Sequence, residues 1–216
     1  MPATADEAKK YPPKALREVA VKGIVFNWLE EIVTAEFDPE TWEELLDQAG
    51  SDGIYASFGS YPDEEMTRLV EITAGMLGKT LVETWRWLGR RAVPLMAIHY
   101  PMSFAATNTL RDLLLSLPYT MDPESRMSNT TDIFSEFTVC EGENEALLVG
   151  YRAPINLCGL AEGLADGAAE YFGDAIEIDQ LKCTIQEDDT CLYRVRFLGS
   201  DDQPLDMDDS KFVLFL

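Results

Sequence analysis

The 216-residue chain carries 39 acidic and 17 basic side chains, a net charge of -22 at pH 7. Nucleic acid and anionic membrane are bound through basic footprints, so this balance argues against both as partners. With 46% apolar residues, and no run near the ~18 that span a bilayer, the composition is that of one soluble globular domain, expected in the cytoplasm.

Residues 1–20 are polar, contain Pro2, Pro12 and Pro13, and read as a flexible extension. A domain is expected over 21–198, followed by an acidic tail, 199–216, that ends in the apolar run Phe212 to Leu216. From Lys22 the stripe Ile24, Val25, Trp28, Leu29, Ile32 and Val33 has helical spacing. A second helix starts at Asp38 as N-cap with Pro39 at its first position, and Gly50 ends it. The Gly- and Ser-rich stretch that follows reads as a loop. A third helix opens after Pro62 and closes at Gly78, a fourth covers about 80–99, and a fifth about 104–117.

After Ile133 the period changes. Phe137 and Val139, then Leu147, Val149 and Tyr151, alternate at period two around Glu141 to Asn144, which predicts a β-hairpin. Residues 156–172 form a helix with Gly159, Gly163 and Gly167 four apart; glycine weakens a helix, so close backbone approach to a neighbour is expected in return. Strands at 175–186 and 190–198 follow, and a turn near Glu187 would set Cys183 opposite Cys191. Helices first, then an antiparallel sheet interrupted by one helix, make an α+β domain.

His99, the chain's one histidine, falls at a helix end, where the dipole favours it. Four cysteines are too few for a disulfide scaffold and read as metal ligands, redox thiols or core residues. No nucleophile–histidine pair and no phosphate loop appears, so no enzyme is predicted.

The run Lys22-Gly23-Ile24-Val25-Phe26-Asn27-Trp28-Leu29-Glu30, with Thr41 to Leu46, Ser60-Tyr61, Phe104, Leu157 to Leu164, Gly167 to Ala169 and the Cys183/Cys191 hairpin, resembles the heme–nitric oxide/oxygen binding (H-NOX) family over about 21–198. The resemblance implies a helical N-terminal lobe on a C-terminal lobe of four-stranded antiparallel sheet plus helices, with heme between them. It also implies a sensory module of bacterial signal transduction whose partner is a histidine kinase, a cyclase or a chemotaxis protein.

The family's heme attachments are altered here. The proximal histidine position falls on Asp122, or on Met121 with a one-residue gap; in the Tyr-x-Ser-x-Arg motif Tyr151 is kept, but Ala153 and Ile155 replace Ser and Arg; the packing proline falls near Ser135. Aspartate is not among the usual axial ligands, and isoleucine cannot pair a propionate. The expectation is a heme-independent module acting by protein interaction or through another apolar ligand, with non-standard heme ligation as the alternative. Either Trp85, Phe104 and Met121 fill the lobe interface or such a ligand does.

Some bacterial members hold zinc or redox thiols in the C-terminal lobe. Cys158, Cys183 and Cys191 match those cysteines, and Gln180 stands at the histidine position. Water, Asp179 or Cys140 could complete four ligands; the alternatives are a disulfide or three packed thiols.

Overall fold

A computed structural model describes residues 20–99, 101–105, 107–120, 136–152 and 157–198. The order is β1 (Ala20–Lys22), α1 (Gly23–Glu36), α2 (Pro39–Ala49), β2 (Ser60–Pro62), α3 (Asp63–Leu77), α4 (Leu81–His99), α5 (Pro101–Ala105), α6 (Leu110–Thr120), β3 (Glu136–Glu141), β4 (Leu147–Arg152), α7 (Cys158–Phe172), β5 (Ile176–Lys182) and β6 (Cys191–Phe197). The predicted α+β class holds: helices precede a four-stranded antiparallel sheet of order β3-β4-β6-β5. No helix of the described residues is long and apolar enough to cross a membrane.

Helix boundaries follow local chemistry. The Asp38 carboxylate accepts from the Thr41 backbone N–H at 2.6 Å, Pro39 occupies the first position of α2, and Gly50 leaves it in the left-handed region at φ 67°. α1 has no side-chain cap. Its first amides instead donate to loop carbonyls: Gly23 N–H to Gly59 O at 3.1 Å, and Ile24 N–H to Ser57 O at 3.0 Å. The Lys22-to-Asn27 motif is thus a docking device for the 51–59 loop. Gly23 has room for no Cβ, because one would lie 2.1 Å from Ala56 O. Phe26 stacks on Tyr55 at 4.1 Å, and the Asn27 amide pairs with the Ser57 hydroxyl at 3.2 Å.

Two expectations about boundaries need correction. The stretch before α3 is not all loop, since β2 pairs with β1 (Ala20↔Pro62, Lys22↔Ser60), and Ala20 therefore belongs to a strand rather than to the extension. Three-residue strands forty positions apart leave no periodic signal. The predicted fifth helix is two. The Thr109 hydroxyl accepts from Asp112 N–H at 3.1 Å and restarts the helix, and Asp174 takes the Leu110 N–H at 2.6 Å.

Three apolar clusters form the interior among the described residues, the smallest of them around the cysteines of the C-terminal half. The helical lobe buries Phe26, Leu29, Leu45, Met66, Leu69 and Trp85. The second cluster joins Phe104, Leu110 and Leu114 to Leu147, Val149 and Val195 of the sheet. Trp85 and Phe104 are therefore both core residues. α4 and α7 contribute to both of the larger clusters and are the joint between lobes.

The glycines of α7 make that joint. A Cβ at Gly159 would lie 2.2 Å from Val82 O, one at Gly163 2.1 Å from Arg86 O, and one at Gly167 2.4 Å from Arg90 O. The constant offset makes the two helices parallel and in register, turn by turn. Gly89 of α4 returns the fit, with Leu160 O 2.5 Å from its virtual Cβ. Outside the contact, Arg86 pairs with Asp166 at 2.7 Å and Glu162 at 3.1 Å, and Arg90 pairs with Glu170.

Candidate functional site

Period-two alternation puts Tyr151 of β4 and Cys191 and Tyr193 of β6 on the sheet face under α7. The register sets Tyr151 opposite Cys191 and Val149 opposite Tyr193. Cys158 is the first residue of α7 and enters the same cluster. Cys183 arrives by an irregularity. Gln180 pairs with Tyr193, but Lys182 pairs with Leu192, so one residue of β5 is bulged out. Continuing that register places Cys183 across from Cys191, on the same face; without the bulge it would oppose Thr190.

β5 ends there. Cys183 opens a 3-10 turn over Thr184–Gln186 that closes at Glu187, φ 70°, and the Asp188 carboxylate holds Cys183 N–H at 2.8 Å. The expected turn centre is therefore right. Ile185, which falls within the strand expected over 175–186, is instead in the turn and exposed.

The three sulfurs meet. Cys158 Sγ lies 3.3 Å from Cys191 Sγ and 3.5 Å from Cys183 Sγ, and all three fall within 4.8 Å of one another. Their residues are 3%, 0% and 5% exposed, respectively for Cys158, Cys191 and Cys183. Thr184 donates to Cys191 Sγ from its backbone N–H at 3.4 Å, and its hydroxyl lies 3.3 Å from the same sulfur.

Two tyrosines close the cluster, their rings nearly parallel with centroids 6.1 Å apart. Burial pushes the Tyr151 hydroxyl far above its ordinary range, and Tyr193 and the thiols of Cys191 and Cys158 push the same way. Burial likewise raises Tyr193, with Cys158 adding to it. Both are neutral phenols at physiological pH.

The residues proposed to complete a tetrahedron do not reach it. Gln180 Nε2 donates to Tyr193 OH at 2.8 Å, and Tyr193 OH in turn reaches Cys158 O at 3.4 Å. Asp179 is held by Arg194 at 2.8 Å and Arg196 at 3.2 Å, and the arginines keep its carboxyl below the usual range. Cys140 is exposed on edge strand β3. Among the described residues the donor set stops at three sulfurs, one short of a Cys3His zinc centre.

The positions that the resemblance gives to the heme attachments are described only in part. Met121, Asp122, Ser135, Ala153 and Ile155 lie outside the described residues. His99 ends α4, with its side chain 46% exposed and Nε2 3.5 Å from Glu31 Oε2. Tyr151, the surviving residue of the heme motif, packs with the thiols. That it belongs to the cysteine cluster was not foreseen; its shared strand parity with Cys191 and Tyr193 becomes informative only once β4 is known to pair with β6.

Comparison with known proteins follows the geometry. A family model described as Haem-NO-binding matches residues 22–180. The chain is similar to an H-NOX protein from S. oneidensis solved in the Fe(II)NO ligation state: 25% identity, 82% of this chain and 99% of that one, TM-score 0.75. It is similar to a triple mutant of an H-NOX protein from the same organism in the Fe(II) state, at 26% identity over 86% of this chain and 100% of that one, TM-score 0.75. An oxygen-binding H-NOX domain related to soluble guanylate cyclases shares the fold at 17% identity, 82% and 95% coverage, TM-score 0.72. No protein of curated function matches the chain.

Proposed function

The chain belongs to the haem-NO-binding family, and from that premise we propose that it is a cytoplasmic sensory and regulatory domain that does not hold heme through the family's side chains. The observation that carries this reading is the place of His99. The one imidazole of the chain ends α4, half exposed and facing Glu31. Iron held in the family's manner needs a proximal imidazole, and none remains to supply it. Tyr151 supports the same reading, because its buried hydroxyl belongs to the thiol cluster.

The domain then acts through contact with a signalling protein, a histidine kinase, a cyclase or a chemotaxis protein, or through another apolar ligand. The parallel α4–α7 joint is suited to the role, because any relative motion of the lobes must pass through it. Absorbance of protein purified from cells fed a heme precursor tests the reading. The expected spectrum has no Soret band. A stoichiometric Soret band would overturn it in favour of heme with non-standard ligation.

A second reading has its own observation, the convergence of Cys158, Cys183 and Cys191. Three buried sulfurs this close make a thiolate centre for a metal ion.

A further inference from the structure

The thiol centre departs from a structural zinc site by a single donor, and the surrounding contacts say what replaced it. At the position that the family resemblance gives to a fourth ligand, the Gln180 amide is bonded to Tyr193 OH at 2.8 Å. Tyr193 and Tyr151 wall off that side, their rings nearly parallel with centroids 6.1 Å apart. Asp179 is held by two arginines, Cys140 is at a sheet edge, and among the described residues only the three cysteines, each at most 5% exposed, gather as metal-binding side chains there.

We infer that the Cys158–Cys183–Cys191 centre takes a soft cation content with three sulfurs, copper(I), in preference to zinc(II). The inference rests on reading the three cysteines as a metal centre. Structural zinc(II) takes four donors in a tetrahedron, so a three-sulfur set leaves it one short. Copper(I) is soft, is selected by thiolates, and forms stable centres with two or three sulfurs and nothing else. Each thiol that binds releases its proton to solvent, and no electron is transferred.

The resulting negative charge has partners. The Thr184 N–H and hydroxyl lie 3.4 and 3.3 Å from Cys191 Sγ, and the hydroxyl donates once that sulfur is a thiolate. Cys158 sits in the first turn of the fifteen-residue α7, where unpaired amides favour an anion. The backbone N–H of Cys183 is already held by Asp188, so the hairpin presents its sulfur without rearrangement.

The test is competitive titration of the reduced full chain under anaerobic conditions, with copper(I) against a copper(I) chelator and zinc(II) against a chromophoric zinc chelator. Gln180→His restores an imidazole. It is expected to raise zinc affinity by about 100-fold while copper(I) affinity moves by less than about threefold, because only zinc lacks a ligand in the parent site. Equal zinc affinity in the two proteins overturns the inference. Cobalt(II) added to the unaltered protein asks the same question with no variant: an intense tetrahedral d–d spectrum overturns the three-coordinate assignment. Failure of the unaltered protein to bind copper(I) and zinc(II) alike, or undiminished copper(I) binding in folded Cys158→Ser, refutes the metal-centre reading itself and so is a separate outcome.

Discussion

Replacing Gly163 by alanine puts the α4–α7 joint to a quantitative test. The added methyl would lie 2.1 Å from Arg86 O and 2.8 Å from Arg86 C, both backbone atoms of a buried helix face. That is roughly 1 Å or more short of ordinary contact, so α7 and α4 must separate. Overpacking costs about 1–3 kcal/mol, and a rigid backbone obstacle places this site near the top of that range. Alanine returns about 1 kcal/mol in helix propensity. The net expectation is about 2 kcal/mol of destabilisation, or a Tm lower by roughly 4–8 °C for a domain of this size.

Gly75 is the control. It lies in α3, and nothing approaches its virtual Cβ within 4 Å, so Gly75→Ala keeps the propensity gain and stabilises by about 0.5–1 kcal/mol. Urea unfolding followed by tryptophan fluorescence measures both. A Gly163→Ala midpoint at or above the parent's, with unchanged m-value, would refute the claim that backbone contact joins the lobes.

Two further outcomes follow from the same structure. Arg86→Met removes the pairing with Asp166 and Glu162 but keeps the stem; with that guanidinium side chain 48% exposed, the loss should stay below about 1 kcal/mol and vanish in molar salt. A larger cost than that of Gly163→Ala would make the ion pairs, not the glycines, the joint. Asp38→Ala removes the α2 cap and should lower Tm at neutral pH. Hydrogen bonds from Thr41 hold the Asp38 carboxyl below its ordinary 3.8, so its stabilisation is complete above that value and is lost as pH falls through the lowered one. The Tm gap between variant and parent should therefore close on acidification; a gap unchanged down to pH 2, about two units below the ordinary value, would contradict the capping assignment.

Much of the fold was legible because it is encoded locally. The helical stripe of α1, the Asp38–Pro39 start, the closing glycines of α2 and α3 and the first hairpin's period-two alternation are properties of a few adjacent residues, and these appear where expected. The glycines at 159, 163 and 167 announced a close approach, yet nothing near them in sequence could say that the neighbour was α4. β1 and β2 were invisible for a related reason: three residues carry no period, and their pairing exists only once the loop has folded over Gly23.

The site divides the same way. The family resemblance marked Cys158, Cys183 and Cys191 as a set, and that the chain has one histidine, His99, is a fact of the sequence alone. What only the tertiary structure decided is who stands beside them. Gathering the sulfurs takes a β-bulge in β5, the start of α7 and the first residue of β6, segments brought together by sheet register and by helix packing on its face. The same register carries Tyr151 from the heme motif into the thiol cluster and turns Gln180 to Tyr193, because a strand residue's neighbours are set by its partner strand rather than by its own chain.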